Sequence, residues 1–266
     1  MPNQNNFFSF IPHPRFPEEY EICQKTGACR YLKARSREYS DTYFSEEYKN
    51  QYKKTYYEDE SALRKLAQRR LAILSNFINP EGKSLLEIGC AAGFFLHEAQ
   101  KTGFKTTGIE LSQTETAYAR NLGLNIFCTS YLDFESPELY HVICAFFVLE
   151  HFDRQQEVLE KMVGSLEKGG FIFLALPSLK GPTYTTNPEE WFKTHPEDHF
   201  IDYSPDSIRK VFLAYGMELV YKEPMSYHPA RDKGVRGMFP LKHFYRQLAG
   251  WDCYGDTMQV LFRKNK

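Results

Sequence analysis

The sequence predicts an α/β protein with a doubly wound, mostly parallel sheet of seven strands, preceded by a helical or irregular N-terminal cap. Three observations lead to this prediction. Short apolar runs alternate with helical patterns from residue 61 onward, which is typical of a parallel sheet covered by helices. The first run ends in a turn that contains Gly89 and Gly93. The second run ends in an acid, Glu110, about twenty residues further on.

The elements follow from the pattern in chain order. An apolar stripe at helical spacing begins at Ser61 and stops at the Asn-Pro-Glu-Gly turn of residues 79–82. Ser204, Pro205 and Asp206 open a late helix, because they supply a capping hydroxyl, a proline at the first helical position and an acid at the positive end of the dipole. The other predicted elements are strands at 84–89, 105–110, 125–128, 141–147, 171–176, 217–222 and 257–263, and helices at 94–102, 113–122, 154–167 and 241–248.

The first 60 residues differ in composition from the rest of the chain. They hold eight tyrosines, many charges and little periodicity, so we predict a tyrosine-rich cap over residues 1–60 and a main domain over residues 61–266. Ser45 is a candidate helix start that puts Tyr48 and Tyr52 on one face. Two long irregular segments interrupt the main domain at 177–203 and 224–254, and the first leaves the ligand-binding edge of the sheet, which makes it a candidate substrate lid.

Charge and composition restrict the partners. The 33 basic and 34 acidic residues give a net charge of −1, so we expect no nucleic acid partner. No run approaches the roughly 20 apolar residues that cross a bilayer, and no secretory signal is visible, so we expect no membrane partner and a cytoplasmic location. The oligomeric state stays open. Cys23 and Cys29 lack the second cysteine pair of a zinc site, so we expect free thiols and name no metal ligand.

The spacing of the glycines indicates which nucleotide fits the first turn. A dinucleotide fingerprint needs glycines at positions 89, 91 and 94, and this chain has Ala91 and Phe94. A Cβ atom at position 91 obstructs a pyrophosphate, which argues against a dehydrogenase. The turn suits a nucleoside without phosphates, and Glu110 at the end of the second strand can accept hydrogen bonds from both ribose hydroxyls.

The pattern Glu87-x-Gly89-x-Ala91-x-Gly93 resembles the first motif of the class I S-adenosylmethionine-dependent methyltransferases, from which only Ala91 departs. Three further segments resemble the same family in the same order: Tyr140 to Phe152 with its Leu-Glu-His end, Leu166 to Gly170, and Asp198 to Ser204. The resemblance covers roughly residues 60–225 and a C-terminal strand. It implies S-adenosylmethionine as cofactor and a last strand that runs antiparallel to its neighbours.

The resemblance implies a set of cofactor-binding residues at the carboxyl ends of the first strands. Glu87, Gly89, Ala91 and Gly93 would lie near the methionine part of the cofactor, and backbone N–H groups near the helix start would face its carboxylate. Glu110 would accept from the ribose hydroxyls.

Further residues would surround the adenine and the sulfonium. Leu111 would contact the adenine face, and Ser130 and Tyr131 stand where the family reads the adenine amine. Either Phe146 or Phe147 would face the cofactor, and the other is core. Tyr48 and Tyr52 of the leader would cover the methionine end, because an aromatic wall excludes water and favours a cation. A leader that packs on the domain as plain scaffold is an equal alternative.

The candidate catalytic residues are His151, His199 and Tyr203. A histidine that merely organises its surroundings is the competing interpretation of His151, and a solvated loop is that of the segment around His199. The sequence therefore predicts methyl transfer from S-adenosylmethionine to a small-molecule acceptor by in-line displacement. The acceptor atom stays open. The alternative is a non-catalytic binding module of the same fold, which Ala91 and the lack of an acid at Ser130 suggest.

Overall fold

The computed structural model describes residues 7–36, 55–136, 138–225, 238 and 240–265, without the side chains of residues 242 and 245. The predicted helix at Ser45, with Tyr48 and Tyr52, lies outside the described residues, as does most of the segment 224–237. The chain divides into two compact units. We call residues 37–145 with 164–171 the glycine-loop unit, and residues 1–36 with 146–163 and 172–266 the histidine unit.

The described strands and helices include every element predicted from residue 61 onward, in the predicted order. The strands are β1 (Phe10–Pro12), β2 (Tyr20–Cys23), β3 (Cys29–Tyr31), β4 (Ser84–Ile88), β5 (Lys105–Glu110), β6 (Ile126–Cys128), β7 (Tyr140–Phe146), β8 (Leu166–Pro177), β9 (Ile201–Asp202), β10 (Met217–Pro224) and β11 (Thr257–Lys264). The helices are α1 (Glu60–Leu74), α2 (Phe94–Lys101), α3 (Gln113–Asn121), α4 (Gln155–Gly164), α5 (Pro182–Thr186), α6 (Pro188–Lys193), α7 (Pro205–Ala214) and α8 (Leu241–Asp252), with a 3₁₀ turn at Leu149–His151.

The main sheet has seven strands in the order β10-β11-β8-β7-β4-β5-β6. Strand β4 pairs in parallel with β5 and with β7, and β5 pairs in parallel with β6. Strand β11 pairs antiparallel with β10. The predicted fold, a mostly parallel seven-stranded sheet with its last strand antiparallel, is confirmed.

The sheet core consists of strands that are buried on both faces. Residues 142–145 of β7 and 171–176 of β8 are all buried, as continuous apolar runs in parallel sheets should be. Each fully buried Leu, Ile or Phe contributes roughly 1.5–3 kcal/mol relative to an exposed side chain. The helices follow local signals, of which the clearest is at α7, where Ser204 and Ser207 form a reciprocal capping box ahead of an amphipathic run.

The described part of the predicted cap contains three short strands that the sequence did not indicate, joined by turns and irregular segments. Strands β1, β2 and β3 pair antiparallel with one another, and β3 pairs with β9, where Cys29 lies opposite Asp202. These strands are only three or four residues long, so they show no alternation, and their stability depends on a partner about 170 residues away. The predicted boundary at residue 60 stays a prediction.

Two other elements differ from expectation. Strand β8 begins at Leu166, because α4 already ends at Gly164 rather than at residue 167. The segment 177–203 was expected to be irregular, yet it contains α5, α6 and β9. The six cysteines are free. Within the described ranges no helix is long and apolar enough to cross a membrane.

We predict that Gly93→Ala destabilises the protein more than Gly123→Ala. Both glycines have a left-handed backbone, with φ of 77° and 79°. A Cβ atom on Gly93 would lie 2.5 Å from Cδ1 of Leu124, whereas one on Gly123 meets nothing within 4 Å. The strain costs about 1–2 kcal/mol at either position, and overpacking adds about 1–3 kcal/mol at Gly93 alone.

Urea unfolding of the two variants measures this difference directly. Because the backbone strain is the same in both variants, the additional decrease in the free energy of unfolding of Gly93→Ala measures the packing of the turn against α3 and the loop after it. Equal losses in the two variants would contradict the close approach at Gly93.

Candidate functional site

The turn between β4 and α2 adopts an unusual backbone. Gly89, Ala91 and Gly93 all have positive φ, at 69°, 45° and 77°. Gly89 and Cys90 donate their backbone N–H groups to the carbonyl oxygen of Ile109, at 2.8 and 3.1 Å. The turn is therefore held against the end of β5. Left-handed backbone is costly for alanine, so Ala91 is a strained residue where the resembling family has glycine.

The Glu110 side chain ties together the loops that follow β4 and β5. Its Oε2 accepts a hydrogen bond of 2.8 Å from the backbone N–H of Ala91. Its Oε1 accepts from the backbone N–H groups of Leu111, at 2.8 Å, and Ser112, at 2.9 Å. Charge-assisted hydrogen bonds of this kind are worth about 1.5–3 kcal/mol each. The carboxylate predicted to hold ribose hydroxyls thus lies at the glycine turn and is well oriented.

Two leader tyrosines that the sequence did not single out lie beside this turn. The Tyr56 ring stacks on the ring of Phe94, the first residue of α2, with centroids 5.4 Å apart and planes 6° from parallel. The Tyr57 hydroxyl donates to Oε1 of the buried Glu115 at 2.9 Å. Burial, the hydrogen bond and the charge of Glu115 raise the pKa of Tyr57. The sequence signal that could have indicated these two tyrosines was their position just before α1.

Glu87 is buried at the end of β4. Burial raises the pKa of its carboxyl well above the usual range, even though the charge of Arg70 opposes this shift. Arg70 is also buried, and desolvation lowers the pKa of its guanidinium to about 10. Within the described chain, Oε2 of Glu87 has no hydrogen-bond partner. The residue is therefore a buried acceptor with one unused oxygen beneath the glycine turn.

The three residues expected at the adenine have different surroundings. Leu111 is 49% exposed directly after Glu110. Ser130 uses its hydroxyl to accept from the backbone N–H of Leu132 in a local turn. Tyr131 is buried, and its contact with adenine stays a prediction. The sequence could not distinguish these cases, since all three residues follow a strand end.

Phe146 is the last residue of β7 and Phe147 follows it, and both belong to the histidine unit. The Phe146 ring packs edge-on against Phe173, with centroids 5.5 Å apart. Phe147 is 39% exposed and has a positive φ of 59°, while its N–H donates to the carbonyl oxygen of Ala175 at 2.8 Å. Phe147 is thus the exposed member of the pair, and its strained backbone is typical of functional positions.

His151 is held by Asp198. Its Nδ1 lies 3.2 Å from Oδ2 and 3.2 Å from the carbonyl oxygen of Asp198, and its side chain is about a quarter exposed. Burial acts to lower the pKa of His151, but the hydrogen bond from the Asp198 carboxylate and the negative charges of Glu150 and Asp198 outweigh it and raise the pKa. An oriented imidazole beside a carboxylate is the arrangement of a general base.

The other two predicted catalytic residues differ from His151. Burial and the neighbouring charge of His151 lower the pKa of His199 to about 3, so this imidazole is neutral. Tyr203 is 1% exposed, and its hydroxyl donates to Oε1 of Gln155 at 2.8 Å. The hydroxyl is therefore enclosed and its proton is already engaged, and the catalytic role of Tyr203 stays a prediction. Gln155 was not predictable, since its contact spans 48 residues.

Glu150 is a second buried carboxyl in the histidine unit. It is 1% exposed, and burial raises its pKa to about 7 despite the opposing charge of His151. Neither side-chain oxygen has a hydrogen-bond partner from another described residue. Such a group is costly in its charged form unless a cation lies near it.

The fold and the glycine turn define the class of protein as a doubly wound α/β protein, and the family comparison makes the class specific. The methyltransferase-domain family model matches residues 57–222, more than half of the chain. The chain therefore belongs to this methyltransferase family. It is an S-adenosylmethionine-dependent methyltransferase of the class I fold, and the predicted cofactor is confirmed.

Individual relatives are distant. The chain is 21% identical over 173 residues to the ubiquinone biosynthesis O-methyltransferase of Rickettsia felis, covering 60% of this chain and 71% of that protein. It is 23% identical over 179 residues to the enzyme of the same name from Coxiella burnetii, covering 62% and 76%.

Solved structures support the same fold. Magnesium protoporphyrin IX methyltransferase from Synechocystis with bound S-adenosylhomocysteine is similar, with a TM-score of 0.59 at 11% identity over 85% of this chain and 98% of that chain. The plantazolicin methyltransferase BpumL with S-adenosylhomocysteine has a TM-score of 0.55 at 18% identity, covering 85% of this chain and 90% of that chain.

We predict that Ala91→Gly stabilises the protein. Relief of left-handed strain gains about 1–2 kcal/mol, and the added backbone entropy of glycine in the unfolded chain offsets about 0.5–1 kcal/mol. The matched control is Ala92→Gly. Ala92 is also an alanine of this turn and is fully buried, but its φ is not positive. We expect the control to lose about 1 kcal/mol in urea unfolding. A loss of stability in Ala91→Gly would show that the backbone at 91 is not strained.

Proposed function

We propose that the protein transfers the methyl group of S-adenosylmethionine to an oxygen atom of a small hydroxylated molecule. The observation that carries the proposal is the Glu110 carboxylate, which is held at the glycine turn by three backbone N–H groups. The oxygen acceptor is suggested by the names of the distant relatives, which are O-methyltransferases. The net charge of −1 favours a small molecule over nucleic acid.

Cofactor binding follows from the acceptors near the turn. The ribose hydroxyls are donors, and the fixed Glu110 carboxylate has an acceptor site left on Oε2, which accepts one backbone N–H group whereas Oε1 accepts two. The methionine part carries an ammonium group, and Oε2 of Glu87 is an acceptor without a hydrogen bond in the described chain. We infer that the Glu110 carboxylate helps to distinguish a nucleoside sulfonium from other nucleotides, since a carboxylate would repel a phosphate.

The chemistry needs little from the protein beyond alignment. The sulfonium activates the methyl group, so the main tasks are to bring the acceptor oxygen into line and to exclude water. A hydroxyl acceptor also needs a base to take its proton. Of the three residues that the sequence suggested, His151 has the partial exposure and the orienting carboxylate that this role requires.

The direct test is turnover. The purified chain is incubated with S-adenosylmethionine and a panel of phenols, catechols and aliphatic alcohols, and S-adenosylhomocysteine and methylated products are measured by chromatography with mass detection. Methyl ethers from one substrate group support the proposal. Tight cofactor binding with no product from any acceptor class would favour the non-catalytic binding module instead.

We predict that Glu110→Ala weakens S-adenosylmethionine binding about tenfold to a hundredfold. The loss of hydrogen bonds to a charged acceptor costs roughly 1.5–3 kcal/mol, which corresponds to this range in Kd. Isothermal titration measures it, with Glu218→Ala, an exposed acid on β10, as the control that keeps full affinity. An unchanged Kd in Glu110→Ala would contradict the ribose assignment.

We predict that His151→Asn lowers the rate by about 10²–10⁴-fold while cofactor affinity is kept. The base must be deprotonated, and the pKa of His151 is raised above 6.5, so the rate should fall as the pH drops through a value above 6.5. Asp198→Asn removes the hydrogen bond and the charge that raise this pKa, so the pH at which the rate falls should move to a lower value. An identical pH profile in Asp198→Asn would contradict His151 as the base.

The leader prediction can be tested at Tyr48 and Tyr52. Truncation is unsuitable, because it would remove the strand that pairs with β9. We predict that the double change Tyr48→Ala and Tyr52→Ala weakens S-adenosylmethionine binding more than it lowers the melting temperature, because the sulfonium loses its aromatic cover. Tyr39→Ala is the control within the same leader. Equal affinity of the double variant and the natural chain would mean that the leader is scaffold.

A further inference from the structure

The histidine unit contains a cluster of metal-ligating side chains that the methyl transfer does not use. We call His195, His199 and Asp202 the His195 cluster. One donor atom from each residue lies within 4.8 Å of the donors of the other two. We propose that the His195 cluster binds a divalent first-row transition-metal ion, with zinc as the most suitable ion. This inference goes beyond the proposed function and does not depend on it.

Asp202 is the anionic member of the cluster. It lies on β9 and is 2% exposed. Its Oδ2 accepts from the Tyr20 hydroxyl and lies 2.7 Å from Nε2 of His195. Its Oδ1 is buried and has no hydrogen-bond partner among the described residues. A buried carboxylate with one unused oxygen is strongly unfavourable unless a cation compensates it.

The orientation of His195 leaves one nitrogen for a cation. Its Nδ1 lies 2.9 Å from the carbonyl oxygen of Pro196, and a carbonyl only accepts, so Nδ1 carries the hydrogen. In the neutral imidazole Nε2 then holds a lone pair, which points at the Asp202 carboxylate 2.7 Å away. Nε2 is thus the nitrogen of His195 that can bind a metal ion beside the Asp202 carboxylate.

The cluster also has the outer hydrogen bonds that hold metal ligands in place. The indole N–H of Trp191 donates to the Tyr20 hydroxyl at 3.0 Å, and that hydroxyl donates to Asp202. The Pro196 carbonyl orients His195 in the same way. Ligating histidines and carboxylates generally have such partners, which set the tautomer and the ring direction. The side chains of His195 and Asp202 are each 1% exposed, so these contacts are dry.

His199 completes the cluster with a nitrogen that nothing else uses. Its ring takes part in none of the hydrogen bonds found in the described chain, and it meets the His195 ring edge-on with centroids 5.6 Å apart. Glu150 adds a buried carboxyl beside His199, and neither of its oxygens has a hydrogen-bond partner in the described chain. The local field therefore favours a cation over a neutral occupant.

A second grouping on the same side chains is less suitable. Glu150, His151 and His199 also lie within 4.8 Å of one another by their donor atoms. However, Nδ1 of His151 is already held by Asp198. The His195 cluster keeps three donors that face one another, so it is the set we assign.

Two imidazoles and one carboxylate match the preferences of zinc, cobalt(II) and iron(II). Donors bound to one such ion at about 2.1 Å lie about 3–3.4 Å apart, so small side-chain rotations would close the cluster. The ion would join β9 and the segment before it to β2 through Tyr20. We therefore expect it to stabilise the segment 195–202 rather than to supply the methyl chemistry.

The experiment uses the full chain and two probes. The protein is purified without chelator, its metal content is measured by plasma mass spectrometry, and the metal-stripped chain is titrated with Co²⁺ and then Zn²⁺. We expect about one zinc per chain, and visible Co²⁺ absorption bands that Zn²⁺ displaces. No zinc in the purified chain together with no Co²⁺ spectrum would overturn the proposal and leave an ordinary hydrogen bond between His195 and Asp202.

The variants locate the ion. His199→Asn should weaken Co²⁺ binding more than about tenfold, whereas His151→Asn and the exposed His243→Asn should keep it. Loss of binding in His151→Asn with binding kept in His199→Asn would overturn the assignment. Tyr20→Phe provides a second test if His199→Asn does not fold, because it keeps all three ligands and removes only the outer hydrogen bond. Its affinity should fall about 10–100-fold, and an unchanged affinity would contradict the cluster.

Discussion

The glycine-loop unit depends on one carboxylate. Glu110 accepts hydrogen bonds from three backbone N–H groups, one in the turn after β4 and two in the turn after β5. These donors lie at strand ends, where no ladder partner remains for them, so without the carboxylate they would be left unsatisfied. The left-handed backbone of Ala91 is tolerated because its N–H is held in this way. The cofactor contacts that we propose all start from this arrangement.

The histidine unit depends on a different constraint, which is the burial of carboxylates. Glu150, Asp198 and Asp202 are each no more than 2% exposed, and the imidazoles of three histidines surround them. Each acid needs a positive or donating neighbour in a medium that screens charge poorly. His151 is the partner of the Asp198 carboxylate. His195 and the Tyr20 hydroxyl are partners of Oδ2 of Asp202. The remaining unpaired oxygens are what distinguish this cluster from an ordinary buried network.

The two constraints correspond to different kinds of function. An S-adenosylmethionine-dependent methyltransferase needs a rigid nucleoside site, because alignment of the methyl group supplies most of the rate. Backbone donors and strand ends provide that rigidity in the glycine-loop unit. Proton transfer instead needs a group whose pKa is matched to the acceptor, and the His151–Asp198 pair is tuned by charge and burial together. Tuning of this kind requires residues from distant parts of the chain.

The sequence by itself determined the succession of the main-sheet strands and their helices, the glycine turn and the position of Glu110 at the end of β5, because periodicity, capping and turn chemistry are local properties. Only the tertiary structure decided the rest. Strands β1 to β3 exist because β9 completes their sheet, Tyr131 and Tyr203 are enclosed rather than exposed, and Tyr56 stacks on Phe94. The His195 cluster is the clearest case, since the contact between Tyr20 and Asp202 spans 182 residues. Burial and pairing at such separations depend on packing, which no local pattern of residues records.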